Sequence, residues 1–550
     1  MTRFTPASVR AFAAYRAAGL RHRASLALDP LRDRHDPDRR RYFPDDPDQL
    51  TGYRDRFDAS ARVLDPFLAR SADIRNGDRD PVAVVVMPWF GTPSPWYAIA
   101  LGLGLARQGR RVTFVWHDLP FPGRQAAHEL QNAAIGRALR RLGDRFDIVR
   151  ASRVTESIPG ADDAAVAADL AAQNATWFLR AATDLLPRER GLEERMRASL
   201  ARDLPRVRAL VRRGGFDLLV VSGGVLLGSG CYMQAARDQG VRAATFDAGL
   251  GWTVVCTDGV AAQQTDLTRA FDMLRAELGD DTDAVVTAAR EEYERRRLGS
   301  DATSYQQASA AGAATGGPRT VLVPLSVMFD TAALGRHHLF ADSREWLVET
   351  VDAARRATDD PIVVRQHPSE RRVVERSRFD AGAIVAEAFG DDPQVRFLPA
   401  EDPTNTYDIL DRSHLVLPFV STIGIEAAAL GVPVVVGGRC YYSDMGFVWS
   451  ASTRDEYAAL VARGARGELP VLPDQTDRAW TCYYLNAVCQ RVWTDFTAQP
   501  PDYWRWVARH PDELFADPQV RDILTALDDD VPLPILRHRR FSTGGDPNPT

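Results

Sequence analysis

Short apolar runs alternate with longer amphipathic stretches twice along this 550-residue chain. In the first half, the runs at 82–87, 111–116, 146–149, 217–221 and 241–246 are rich in Val, Ala, Leu and Phe and are bounded by turn residues. They predict buried strands, because a run apolar at every position suits a parallel sheet covered on both faces. Between them, 96–108, 125–142 and 161–213 carry apolar residues at helical spacing. The pattern restarts in the second half. It predicts strands at 321–325, 361–365, 394–398, 414–420 and 432–436, and helices at 343–357, 405–411, 422–430 and 453–464. Strands that alternate with helices imply doubly wound, mostly parallel sheets.

The two halves are separated by 300–320, a Ser/Ala/Gly/Gln stretch with few large apolar residues, which reads as a linker. The expected organisation is a helical or irregular lead-in (1–78), a first Rossmann-like domain (79–299), the linker, a second Rossmann-like domain (321–470) and a helical tail (471–550). The tail's aromatic residues Trp480, Tyr483, Tyr484, Trp493 and Phe496 need a surface to pack on. Two α/β domains around a linker put a cleft between the carboxyl ends of their sheets, where such sheets bind ligands. This is similar to the GT-B arrangement of glycosyltransferases.

Two polar signatures follow strands in the second half. Pro361-Ile-Val-Val-Arg-Gln-His-Pro368 delivers Arg365 and His367, and Leu415-Val-Leu-Pro-Phe-Val-Ser-Thr-Ile-Gly-Ile-Glu-Ala427 places Ser421 and Thr422 where a helix opens. A strand, a polar turn and a helix N-terminus make a seat for a phosphate. Arg365 and His367 can supply cationic or hydrogen-bond donors to the same anion. Each element also has a plainer reading. His367 can be a capped strand-end histidine, Ser421 and Thr422 can be an N-cap, and Glu426 can be a solvated helix residue rather than a ribose contact.

Composition narrows the chemistry. All 68 basic residues are arginine, so a Walker-type lysine and a Schiff-base lysine are both excluded. Five scattered cysteines without a Cys-x-x-Cys pair argue against a zinc site or a disulfide framework. No cofactor and no metal are expected. A net charge of −6 gives no reason to expect nucleic acid. The N-terminus lacks a signal-peptide pattern, and no run is long enough to span a membrane, so a cytoplasmic location is expected. Residues 7–28 can form a helix with interspersed arginines. It can dock on the protein's own flank, or associate peripherally with the inner face of an anionic membrane.

Arg365-Gln-His-Pro368, the run Ser421 to Val436 and Gly437-Gly-Arg-Cys-Tyr-Tyr-Ser-Asp-Met-Gly446 together resemble the capsular polysaccharide biosynthesis family, which includes Kdo transferases. Phe246-Asp-Ala-Gly249 followed by Thr257-Asp-Gly-Val260 is similar to that family's Phe-Glu-Glu-Gly segment, with Ala248 in place of the second acid. The resemblance covers about 240–450. It implies a glycosyltransferase that moves a sugar from a nucleotide-activated donor, such as CMP-Kdo, to a glycan or lipid-linked acceptor. In it 79–299 would be the acceptor-side domain and 321–470 the nucleotide-sugar-binding one, where Arg365, His367, Ser421, Thr422 and Glu426 would hold the donor. His367 would also assist the leaving phosphate, and Asp247 would be the acceptor base. An Asp-x-Gly turn is the plain alternative for Asp247, and Asp258 is a weaker candidate base. A CDP-polyol phosphotransferase, a hydrolysing nucleotide-sugar epimerase and a non-catalytic assembly or export protein of the same fold are the competing readings.

Other polar clusters carry less. His510-Pro511 reads as a helix terminus, and His337-His338 lacks carboxylates at ligand spacing. Asp280-Asp-Thr-Asp283 and Asp528-Asp-Asp530 read as solvated acidic clusters.

Overall fold

The computed structural model describes residues 62–89, 92–122, 125–181, 187–247, 254–279, 281–299, 318–371, 376–492, 494–496 and 506–544. The expected N-terminal helix, nearly all of the linker, Gly91, Ala248, Gly249, Asp280 and Trp493 lie outside them. The chain forms two compact units. One comprises 1–178, 186–266 and 491–550, and the other 179–185 and 267–490.

The first unit is built on six strands: β1 (Arg79–Val86), β2 (Arg110–Trp116), β3 (Asp147–Arg150), β4 (Leu218–Ser222), β5 (Arg242–Phe246) and β6 (Val255–Cys256). Their order is β3-β2-β1-β4-β5-β6, parallel except for β6, which pairs antiparallel with β5. This is the doubly wound Rossmann-like order, reversing direction between β1 and β4. Helix α1 (Ser94–Arg107) follows β1, and α2 (Ser229–Gln239) follows β4. The two-residue edge strand β6 has too little apolar pattern to be foreseen.

The second unit holds β7 (Thr320–Pro324), β8 (Ile362–Arg365), β9 (Val395–Leu398) and β10 (Ser413–Val416), all parallel, in the order β10-β7-β8-β9. The order again reverses, here between β7 and β10. Val321, Val323, Ile362, Val364, Leu415 and Leu417 pack with Trp346, Leu347 and Val351 of helix α4 (Ser343–Arg355). Helix α3 (Asp283–Arg297) precedes this sheet. Helices α5 (Thr406–Leu410), α6 (Ile423–Ala429) and α7 (Arg454–Ala465) follow. Asp342, Asn405 and Thr453 cap α4, α5 and α7, accepting from Glu345, Tyr407 and Glu456 backbone N–H groups. These caps start the helices where the sequence changes period.

Several expectations are corrected. The boundaries at 299 and 470 do not follow the compact units. Helix α3 belongs with the second sheet, and after residue 490 the chain returns to the first unit. There Trp506 meets Phe67 and Tyr97 edge-on at 5.3 and 5.2 Å, and a Cβ on Gly104 would lie 2.7 Å from Leu524. Within the second unit Trp480 and Tyr483 pack edge-on against Tyr293 of α3 at 5.7 and 6.2 Å. The predicted strand 432–436 is reduced to isolated parallel bridges, Val416 with Val434 and Val435 with Trp449. Pro433 supplies no N–H, so its carbonyl alone joins the pairing, accepting from Val416 at 3.1 Å. His510 precedes a helix that starts at Pro511, instead of ending one. Asp528 is not solvated: it pairs with Arg110 and, at 3.2 Å, with Arg79.

Candidate nucleotide-phosphate site

Within the second unit, the carboxyl ends of β7 and β8 and the turn beyond β10 line one pocket. Pro324, Leu325, Arg365, Gln366, His367, Pro368, Ser421, Thr422, Ile423 and Glu426 form its wall, with Thr406 and Tyr407 from α5 and Arg296 from α3. All five residues predicted to hold the donor in this half therefore meet. The location follows from topology: where strand order reverses between β7 and β10, their following loops diverge and leave a crevice.

The Arg365-Gln-His-Pro segment is fixed from beneath. Arg365 closes β8, its carbonyl accepting from Leu325 N–H at 2.9 Å, and Gln366 N–H donates to Leu398 at 2.9 Å. Gln366 donates to Glu370 Oε2 at 3.1 Å and accepts from Ala400 N–H at 3.0 Å. Glu370 is buried and also accepts from the Ser377 hydroxyl at 2.7 Å. Burial holds its carboxyl above the ordinary carboxylate range.

His367 has a defined tautomer. Its Nδ1 accepts from Ser369 N–H at 3.2 Å and lies 2.7 Å from the Ser369 hydroxyl, so the ring proton belongs on Nε2. Its pKa is lowered to about 4, by burial first and then by the charges of Arg296 and Arg365. At neutral pH this ring is an uncharged N–H donor. The expectation that it could protonate a leaving phosphate is thereby narrowed to hydrogen-bond donation, until an anion beside Nε2 raises its basicity.

Arg365 lines the pocket, yet its guanidinium is engaged elsewhere. Nη1 donates to the Pro399 carbonyl, and Nη2 to those of Asp402 and Thr404 at 3.2 and 3.1 Å. Nε is buried without a hydrogen-bond partner. Arg365 thus ties down the loop leading to Asn405, Thr406 and Tyr407. The expected grip on an anion is replaced by support of the pocket wall.

Ser421 and Thr422 are half-buried, and Thr422 is the N-cap residue of α6 but makes no side-chain cap. Both hydroxyls are therefore not consumed by the helix. Tyr442, fully buried, donates to the Ser421 carbonyl at 2.6 Å and pins the turn.

Glu426 is not solvated. It is 1% exposed, accepts from Tyr407 Oη at 3.2 Å, and its Oε1 lies 3.8 Å from Arg296 Nε. Sequence reasoning missed Arg296, Tyr407 and Tyr442. The available signal was the Arg295-Arg296-Arg297 run closing an amphipathic helix, one turn beyond Tyr293.

Asp247 belongs to the first unit, just beyond β5, where its N–H donates to the Val254 carbonyl at 2.9 Å. His337 stacks on Phe419 with ring centres 4.4 Å apart, and its Nε2 lies 3.2 Å from the Ser343 hydroxyl, so it is committed to packing. Among the described residues no cluster of His, Cys, Asp and Glu could hold a metal ion, and no helix is long and apolar enough to cross a membrane.

Comparison with known proteins adds three findings. No curated protein matches the chain. Among solved structures, the chain is similar to two Thermosulfurimonas dismutans KpsC transferases. The β-Kdo 2,7 transferase is 18% identical over 47% of this chain and 79% of that one, with a TM-score of 0.29. The β-Kdo 2,4 transferase is 16% identical over 48% and 88%, with a TM-score of 0.26. It is also similar to S. aureus MnaA in a structure with UDP, at 10% identity over 75% and 99%, with a TM-score of 0.24. At such values these likenesses assign neither donor nor acceptor. The model of the family described as capsule polysaccharide biosynthesis protein matches residues 287–466, a stretch that contains most of α3, the second sheet and every residue lining the pocket. Through that segment, the chain is similar to the capsule polysaccharide biosynthesis family.

Proposed function

We propose that this protein is a glycosyltransferase of capsular or surface polysaccharide assembly. It takes a sugar from a nucleotide-activated donor and passes it to a glycan or lipid-linked acceptor. The observation that carries this reading is the convergence of the His367 ring and the Ser421-Thr422 turn on one pocket at the reversal point of a Rossmann-like sheet. The family resemblance implies a CMP-linked acidic sugar such as Kdo as donor.

In this reading the Nε2–H of His367 donates to an oxygen of the donor's phosphate. The Ser421 and Thr422 hydroxyls complete the cradle. When the bond from sugar to phosphate breaks, negative charge builds on that phosphate. Donors fixed in advance stabilise it more than they stabilise the ground state. The lowered pKa keeps His367 uncharged until the anion arrives, and the arriving charge then strengthens its N–H as a donor. Asp247 is assigned to the acceptor, accepting the proton of the attacking hydroxyl.

The test is a thermal-shift screen of the full chain against CMP, CDP, UDP and GDP. One of these should raise the melting temperature, and His367→Ala should abolish that rise. A wild-type chain that none of the four stabilises would remove the nucleotide from this reading.

A further inference from the structure

Away from the pocket, the first unit carries a cluster of guanidinium groups where β2, β3 and the helix Gln125–Leu142 between them meet. Trp116, the last residue of β2, is its floor. The indole N–H donates to Asn132 Oδ1 at 2.6 Å, and a Cβ on Gly136 would lie 2.4 Å from the benzene edge of the same ring. Residues 132, 136 and 140 share one face of this helix, so Arg140 stands one turn beyond the indole. Helical side chains lean towards the N-terminus, which carries the Arg140 stem back towards the Gly136 turn. From the end of β3, the Arg150 guanidinium stacks on the indole, 4.3 Å from the ring centre.

The charges in this cluster do not balance. Arg150 donates through Nε and Nη2 to Asp118 Oδ2 at 2.9 and 2.5 Å, while 41% of its side chain stays exposed. Asp118 also accepts from the Ser152 N–H and hydroxyl at 2.8 and 2.6 Å, so its carboxylate is consumed at the ends of β2 and β3. Among the described residues Arg140 has no carboxylate partner; the charges that act on it are those of Arg150 and Arg137. With burial, these like charges hold its guanidinium below the ordinary arginine range.

We propose that Arg140 and Arg150, with Arg137 beside them, form a second anion site, separate from the pocket, that takes a phosphate group. Two planar forks offer more N–H groups than one carboxylate can accept, whereas a phosphate has oxygens for both. Stacking on Trp116 holds Arg150 in place before the anion arrives. A free phosphate and a phospholipid headgroup present the same chemistry to this site. None of its residues belongs to the pocket, so the inference does not depend on the nucleotide reading.

The experiment titrates the full chain with inorganic phosphate by calorimetry, and sediments it with vesicles of phosphatidylglycerol or of phosphatidylcholine alone. Arg140 is exposed and glutamine suits a helix, so Arg140→Gln should fold as the wild type does. It should weaken binding about fivefold or more. Arg141→Gln removes the same charge from the neighbouring residue, which pairs with Asp65 at 3.1 Å, and should change binding less than about twofold. His367→Ala should leave the Arg140-dependent binding in place. Arg140-dependent binding of free phosphate supports the site with a soluble ligand. Arg140-dependent retention on phosphatidylglycerol alone supports it with a lipid headgroup. A wild type that binds neither probe overturns the proposal, as does equal loss in the Arg140 and Arg141 variants or none in the Arg140 variant.

Discussion

The Tyr442 hydroxyl donates to the backbone carbonyl of Ser421 across 2.6 Å, so a residue twenty-one positions downstream holds the turn that opens α6. The same phenol explains Gly424: a Cβ there would lie 2.5 Å from Tyr442 Oη. The glycine is required by what passes beside it, since the helix itself would accept alanine.

Tyr442→Phe should therefore cost about 1 kcal/mol of stability and weaken nucleotide binding several-fold, because the Ser421 carbonyl keeps only its bond from Gly424 N–H. Gly424→Ala should cost about 1–3 kcal/mol by overpacking. In the Tyr442→Phe background the clash loses its oxygen, so the alanine should cost less. A urea double-mutant cycle measures the coupling, and strict additivity would show that the two residues do not meet.

Replacing Arg365 with lysine removes the fork that serves three backbone carbonyls. A loss of about 2–4 kcal/mol in urea unfolding is expected, since a single ammonium cannot satisfy them all. In the chain that remains folded, nucleotide and nucleoside affinities should fall together, because the wall formed by Thr406 and Tyr407 shifts as a whole. A selective loss of phosphate recognition would instead restore Arg365 as a direct contact.

His117 in the first unit is buried, with Nδ1 3.1 Å from Tyr232 Oη. Its pKa is lowered to about 4, by burial first and then by His128, with Asp118 opposing. The unfolded chain takes up this proton near pH 6.5, whereas the folded one resists it until about pH 4. Stability from this residue is therefore complete above pH 6.5 and is lost as pH falls from 6.5 towards 4, by up to about 3 kcal/mol. His117→Gln should flatten the fall in melting temperature across that window. An unchanged slope would place the acid sensitivity elsewhere.

Asp247→Asn should leave nucleotide binding intact while removing sugar transfer, because the amide cannot accept the acceptor's proton. Transfer at the wild-type rate would dismiss Asp247 as the base. Nucleotide binding and transfer lost together would point to misfolding of the segment after β5.

Much of this protein was legible from hydrophobic periodicity, because buried parallel strands are apolar at nearly every position. β1, β2, β4, β5, β7 and β8 all announce themselves in this way. His367, Ser421 and Thr422 could be nominated because polar residues directly after such strands stand at the sheet's carboxyl edge. The sequence alone thus determined the α/β class, the two sheets, the family resemblance and the turns that meet at the pocket. Only the tertiary structure decided what each polar side chain does there. Arg365 and Arg296 are chemically identical, but one holds three backbone carbonyls and the other stands 3.8 Å from the Glu426 carboxylate. Glu426 became a buried partner of Tyr407 and Arg296 because α3, some 130 positions earlier, folds onto the second sheet. Hydrogen-bond partners are set by which distant segments share a few ångströms, and no local pattern of residues encodes that proximity.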